Sequence, residues 1–274
     1  MKKIILLLSC LSLLSLSAFE LKIDAGSGIQ YTGADGKLVY AKDIWEGSSA
    51  GINHASSTNF YMWTDISSDQ AYWPKMRLEY SHIKTEGSSK INVQSGDANI
   101  QALISAIDSQ LSAIGLSLNS LSLDSHLTQS TYEGYLYYEY FEKSNYPTLG
   151  FGLGAKMFDF TYRATIVDGL EFTDNGQETV PLLFFKSRYE LEKEEDDAQL
   201  SFEVGAKVYV FGDSTIYDYL AKTDFMMKYN ETTDLGLELG YKVSVYDIKG
   251  SDIDSVGGNM NNSGVFVGLV GHFR

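Results

Sequence analysis

Four histidines, His54, His82, His126 and His272, are the side chains of this chain best suited to moving protons near neutral pH. His82 and His126 flank a long polar stretch, so one hairpin would carry both to the same end of a fold. There, a histidine beside acidic groups could activate a water molecule. No carboxylate stands at a spacing that singles it out as their partner, and histidines that meet only solvent or sugar fit the sequence better. Asp247, Asp252 and Asp254 have the oxygen ligands a divalent cation takes, but they belong to a loop pattern, and no metal is assigned. Glu190–Asp197 (ELEKEEDD) reads as a solvated charge run. No phosphate-binding loop, HExxH, GxSxG, CxxC or calcium loop is present. Gly150, Gly152 and Gly154 have GxG spacing, but they sit inside a strand pattern rather than at a strand-to-helix turn, which removes a dinucleotide site. The expectation is a protein that is not an enzyme, with no catalytic residue and no cofactor.

Whatever the chain does must then follow from its architecture. Its 274 residues include 36 Asp and Glu against 21 Lys and Arg, a net charge of −15 that excludes a basic nucleic-acid surface. Met1-Lys2-Lys3 followed by the apolar Ile4–Leu16 predicts a signal peptide over 1–18, cleaved after Ser17 or Ala18. The apolar stretch is shorter than the roughly 20 residues a helical span requires. The one cysteine, Cys10, lies inside this segment, so the exported domain, 19–274, has no disulfide or thiolate metal site. Loss of Lys2 and Lys3 leaves 19 basic against 36 acidic residues, a charge of −17.

Strict alternation dominates the rest. Every odd position from Leu235 to Val245 is apolar, with Gly236, Glu238, Gly240, Lys242 and Ser244 between them. Leu200–Val210 repeats the pattern in the opposite phase. Side chains of a strand alternate faces, so each segment is a ribbon with one apolar and one polar side. Ten such ribbons are predicted, at 20–33, 58–66, 75–87, 127–142, 148–167, 179–192, 198–212, 217–230, 234–249 and 263–273. With the N-terminus in the periplasm, the outer connections (34–57, 88–126, 168–178, 213–216, 250–262) are mostly long. The inner ones (67–74, 143–147, 193–197, 231–233) are short, and Pro74 and Pro147 fall in them. Even strand number and this asymmetry predict an all-β, transmembrane, antiparallel up-and-down β-barrel of about ten strands.

A soluble barrel would place the apolar face inside. Aromatic positions decide for a membrane: Tyr140, Tyr189, Tyr229 and Phe273 end the returning strands on their apolar faces, and Phe60, Tyr217 and Tyr219 mark the other border. Rings bordering an apolar band are what a bilayer interface selects. Thr58–Ile66 (TNFYMWTDI), Pro74–Tyr80 (PKMRLEY), Gly236–Tyr241 (GLELGY) and Gly264–Leu269 (GVFVGL) resemble a family of uncharacterised proteobacterial outer-membrane β-barrel proteins. The resemblance covers strands 1–3 and the last third, and it implies fold and location, not chemistry. Val265, Val267, Leu269 and Phe273 likewise resemble the C-terminal aromatic signal read by the barrel-assembly machinery, although Arg274 follows the Phe.

Three expectations concern the interior. The polar faces carry cations (Lys22, Lys75, Arg77, Lys156, Lys186, Arg188, Lys207, Lys222, Lys228, Lys242) and anions (Asp24, Asp65, Glu79, Glu133, Glu139, Glu190, Glu203, Asp224, Glu238) in near balance. Unpaired charge in a confined site is costly, so a lumen crossed by ion pairs and without an open pore is predicted. Gly26, Gly28, Gly236, Gly240, Gly264 and Gly268 should form a glycine wall, overlain by Tyr135, Tyr137, Phe158, Phe160 and Phe184. Finally, Ile100, Leu103, Ile104, Ile107, Leu111 and Ile114 follow helical spacing between Asp97, a natural N-cap, and Gly115, a natural stop. This predicts an amphipathic helix over about 97–115 in the second extracellular loop, an insertion relative to the family pattern. It would lie as a lid with its stripe on Leu38, Val39, Ile44 and Trp45.

The function expected is an integral outer-membrane barrel with a structural, adhesive or narrow-channel role in the bacterial envelope. Its expected partners are outer-membrane lipid, lipopolysaccharide and, during biogenesis, the assembly machinery, with no nucleic acid. The alternatives are a small selective pore and a rim hydrolase acting on peptides or lipid A.

Overall fold

A computed structural model describes residues 20–40, 49–70, 73–92, 94, 98–115, 117, 122–141, 146–167, 170–192, 198–249 and 256–274. The predicted signal peptide, Asp97, Ile44, Trp45, Asp252 and Asp254 lie outside the described residues. In chain order the elements are β1 (Leu21–Tyr40), β2 (Ser49–Ser68), β3 (Lys75–Asn92), α1 (Ala98–Ser112), β4 (Ser122–Tyr140), β5 (Thr148–Val167), β6 (Leu170–Glu192), β7 (Ala198–Phe211), β8 (Ser214–Asn230), β9 (Thr233–Ile248) and β10 (Val256–Phe273).

Every strand pairs antiparallel with its sequence neighbours, and β1 pairs with β10, so the ten strands close into one barrel. Closure requires stagger, and it is legible in the register. Ile23 leads through Ile66, Met76, Leu136, Leu153, Leu183, Val208, Tyr217, Val245 and Asn261 back to β1 at Asp35, twelve residues on. Such stagger tilts the strands by about 40° to the axis. Pro74 and Pro147 immediately precede β3 and β5, where a missing N–H costs no ladder bond. The β7–β8 turn has only Gly212 and Asp213, and Gly212 supplies the left-handed φ of 53° it needs.

Two sequence assignments are corrected. The predicted outer loops 34–57, 168–178, 213–216 and 250–262 are mostly strand, since β1 runs to Tyr40, β2 begins at Ser49, β6 at Leu170, β8 at Ser214 and β10 at Val256. Above the bilayer the outward face meets water, so residues such as Asn53 and Thr173 stand there and the apolar alternation ends before the strand does. The register also slips between His54 and Phe60 on β2. Odd residues (Tyr61, Trp63, Asp65) are buried below the slip and even ones (Ala50, Ile52, His54) above it.

Helix α1 follows β3 in the chain and ends at Ser112, followed by a turn closed by Gly115, whose φ is 79° and whose N–H donates to the Ser112 carbonyl (3.1 Å). It is shorter than predicted, 15 residues. Ile104 and Leu111 are half-buried, while Ile107 is 37% exposed.

Candidate functional site: a filled lumen and its charged chamber

The outer face is apolar where alternation is strict. Leu235, Leu237, Leu239, Val265, Val267 and Leu269 all point outward and are exposed, Leu269 by 68%, while Glu238 between them is 1% exposed. A soluble barrel would show the reverse. Tyr140, Tyr189, Tyr229 and Phe273 are exposed on the outer face near the end that carries the chain termini. Toward the far end, Phe60, Tyr80 and Tyr132 form a contiguous outward row, with ring centroids 6.4 and 5.0 Å apart. On β4 the step from Tyr140 to Tyr132 spans about 20 Å of barrel height at roughly 3.3 Å per residue and this tilt, close to the apolar band of a membrane-spanning barrel.

Inside, the polar faces converge. Arg77 is central: it donates to Asp65 (2.9 Å) and Glu79 (2.7 Å), lies 3.7 Å from Glu203, and stacks 4.5 Å over the Trp63 ring. Lys222 caps Trp63 at 4.2 Å and pairs with Glu238 (3.1 Å) and Asp224 (3.2 Å). Trp63 Nε1 and Tyr61 Oη both donate to Glu238, at 3.0 and 2.8 Å. Lys207 on β7 reaches across the lumen to Glu79 on β3 (2.6 Å) and Glu133 on β4 (2.5 Å). Lys156 on β5 reaches Asp218 on β8 (2.9 Å) and lies 3.4 Å from Glu133, beside the rings of Tyr209 and Tyr246. Lys75 and Lys186 share Glu139, each at 2.5 Å. Carboxylates with several donors and cations over ring faces are the arrangements that offset the cost of burying charge.

Of the remaining sequence candidates, Asp24 pairs with His272 and Arg188 with Glu190. Lys22 is exposed, and Lys242 lines the mid-lumen cavities with no ion pair among the described residues. Sequence reasoning missed Asp218, which sits at the start of a ribbon where faces are hardest to assign. Nor does strand phase alone identify the lumenal hydrogen bonds and ring contacts of Tyr61, Trp63 and Tyr246, whose partners lie on distant strands.

The glycine wall exists, but other rings cover it. A Cβ on Gly26, Gly240 or Gly268 would overlap Trp63, Phe266 or Tyr61, residues of β2 and β10. Tyr135, Tyr137, Phe158, Phe160 and Phe184 instead join Leu127, Tyr162, Leu182, Tyr209, Ile216 and Tyr246 in a separate apolar cluster that starts at Tyr137 beside the termini end and extends toward the far end of the lumen. The twelve-residue stagger sets which strands share a height, and so which rings meet which glycines.

Three mid-lumen cavities, of about 40, 10 and 30 Å³, are room for a few water molecules at most. At the termini end lies a chamber of about 550 Å³, lined by both signs of charge and floored by Trp63, Tyr137, Met226 and Val270.

His82 and His126 stand on the outer face, His82 against Ser130 Oγ (3.0 Å) and His126 beside Glu86 (3.3 Å). His54 is the buried one, above the outer aromatic row, with Thr85 Oγ1 at 2.9 Å and Ser125 Oγ at 2.7 Å on its two ring nitrogens. Burial, with His126 adding to it, holds its pKa down at about 4. Among the described residues no cluster of His, Cys, Asp and Glu could hold a metal ion.

No family model and no curated protein matches the sequence. Among solved structures, the chain is similar to the translocator domain of autotransporter NalP from Neisseria meningitidis (TM-score 0.40, 9% identity, 98% of this chain and 93% of that one). It is also similar to the transport unit of autotransporter AIDA-I from Escherichia coli (0.36, 10%, 95% and 92%). A third is Ail, the attachment invasion locus protein of Yersinia pestis (0.34, 8%, 92% and 99%). At these values the barrel assignment rests on the register and burial above.

Proposed function

We propose that this chain is an integral outer-membrane β-barrel whose lumen is sealed, with a structural or adhesive role in the Gram-negative envelope. The observation that carries this is the pairing of an apolar exterior with a lumen whose middle, beyond the termini-end chamber, is filled by side chains. Ion pairs interleave with the rings of the apolar cluster, as where Lys156 lies over Tyr209 and Tyr246, and the three mid-lumen cavities hold about 40, 10 and 30 Å³. Ten strands enclose little more than their own side chains, whereas aqueous channels need about sixteen. Signal-peptide export through 1–18, recognition of the Phe273 strand by the assembly machinery, and contact with lipopolysaccharide at the outer aromatic row belong to this proposal. So does α1 as a lid over the extracellular mouth. The termini end, with the chamber, then faces the periplasm. Single-channel recording of the refolded protein in planar bilayers tests it: silence is the expected result, and stable conductance in the nanosiemens range overturns the sealed barrel.

A further inference from the structure

We propose that the outer half of β6 is an open sheet edge that takes on an added strand from a basic, extended polypeptide. This rests on the adhesive reading above, whose surface it names, and it can fail while the lumen stays sealed.

The register carries it. β6 runs from Leu170 to Glu192 and pairs with β5 along most of its length, from Thr148↔Arg188 to Val167↔Leu170. Its ladder to β7 stops at Leu183↔Val208, and β7 itself ends at Phe211, where the chain turns into β8. Leu170–Leu182 are thus thirteen residues held by β5 on one side and, among the described residues, paired with no strand on the other. At roughly 3.3 Å per residue and a tilt of about 40°, this edge rises about 30 Å beyond the last rung. Pro181, two residues past that rung, has no N–H to give a ladder, and proline in a sheet belongs to edges and bulges. Val180 and Leu182, 1% and 2% exposed, fix the strand to the barrel interior.

Backbone groups of an antiparallel strand alternate between its two neighbours, so about half of these residues direct theirs to the open side. Such a row is a template for another strand, and charge selects which. Between 170 and 182 stand Glu171, Asp174 and Glu178 and no Lys or Arg. A second copy added antiparallel would set acidic residues against acidic ones; centred on Gly176, Asp174 falls opposite Glu178. Like charges directly opposite are destabilising, and the chain's net charge of −15 adds to the repulsion. A strand bearing Lys or Arg at those places meets opposite charge, while its backbone supplies the missing ladder.

The test uses the full refolded chain in detergent micelles and three synthetic thirteen-residue peptides: alternating Thr-Lys, the same peptide with every backbone amide N-methylated, and alternating Thr-Glu. Hydrogen exchange read by mass spectrometry locates the contact. In the free monomer about half of the amides over 170–182 should exchange quickly, and saturating Thr-Lys peptide should slow that segment and no other strand. By fluorescence anisotropy, the N-methylated and Thr-Glu peptides should each bind at least about tenfold more weakly, since the first loses several backbone hydrogen bonds and the second meets like charge. Equal binding of the Thr-Lys peptide and its N-methylated form would reduce the contact to surface charge and overturn the added strand. No binding of Thr-Lys peptide, slow exchange over 170–182 in the free monomer, or a dimer that protects the segment overturns it as well.

Discussion

Replacing Lys156 by Met keeps most of the side-chain volume and removes the charge. Lys156 is 1% exposed, holds Asp218 at 2.9 Å and lies 3.4 Å from Glu133. After Lys156→Met, Asp218 keeps the Tyr209 hydroxyl (2.9 Å), but its Oδ1 already lacks a donor. Stranding a carboxylate in this way costs about 3–5 kcal/mol, and the lost contacts with the Tyr209 and Tyr246 rings add up to about 2 more. Lys249→Met is the control: Lys249 meets Asp247 at 3.1 Å with both side chains about half exposed, a setting where pairs contribute about 0–1 kcal/mol. Adding Asp218→Asn to Lys156→Met should recover about 1–3 kcal/mol, because the stranded charge is gone. Urea unfolding of the refolded barrel in lipid vesicles, followed by tryptophan fluorescence, reads all four proteins. If Lys156→Met costs no more than Lys249→Met, the lumenal pairs are not what holds the interior together.

Gly268→Ala should cost about 1–3 kcal/mol through overpacking, since its Cβ would lie 2.6 Å from the Ser27 carbonyl oxygen and against Tyr61. Val267→Leu, which grows outward from the neighbouring lipid-facing position, should stay within about 0.5 kcal/mol, and equal effects in the same unfolding assay would count against the glycine wall. Below pH 6.5 the unfolded chain protonates His54, whereas the folded state resists until about pH 4. Stability should therefore fall across that window by up to about 3 kcal/mol, and His54→Gln should flatten the unfolding midpoint between pH 7 and 4. Ile104→Asp with Ile107→Asp should speed protease cleavage between β3 and β4 while the barrel stays heat-modifiable on gels; unchanged cleavage would remove the lid.

Strands were legible wherever the outward face must be apolar, because lipid on one side and polar neighbours on the other force period two. Leu235–Val245 shows this most clearly. Legibility failed where that constraint lapses, as at Asn53 and Thr173 above the bilayer, and where the slip near Phe60 reverses the faces of β2. Helix α1 was legible through the spacing of Ile104, Ile107 and Leu111, but what its stripe touches is a tertiary matter. Identities of lumenal charges could be taken from strand phase, yet their partners could not. Lys207 meets Glu79 four strands away, and Tyr61 meets Glu238 from the far side of the closure. Such choices follow from the stagger of the whole sheet, which no local pattern encodes.

The β1–β10 seam also has a consequence for kinetics. It joins Ile23 to Phe273 and continues to Tyr40 opposite Val256, so the pairing that completes the barrel links the two ends of the folded chain. Loop closure over that separation is the slowest kind of contact to form. Until the last strand is synthesised and delivered, β1 and its growing neighbours present an open edge able to pair with any other strand. The chain therefore has to be kept from its own kind throughout the interval between synthesis and closure, and the rate of that last pairing, rather than the formation of any hairpin, should set how quickly the barrel appears.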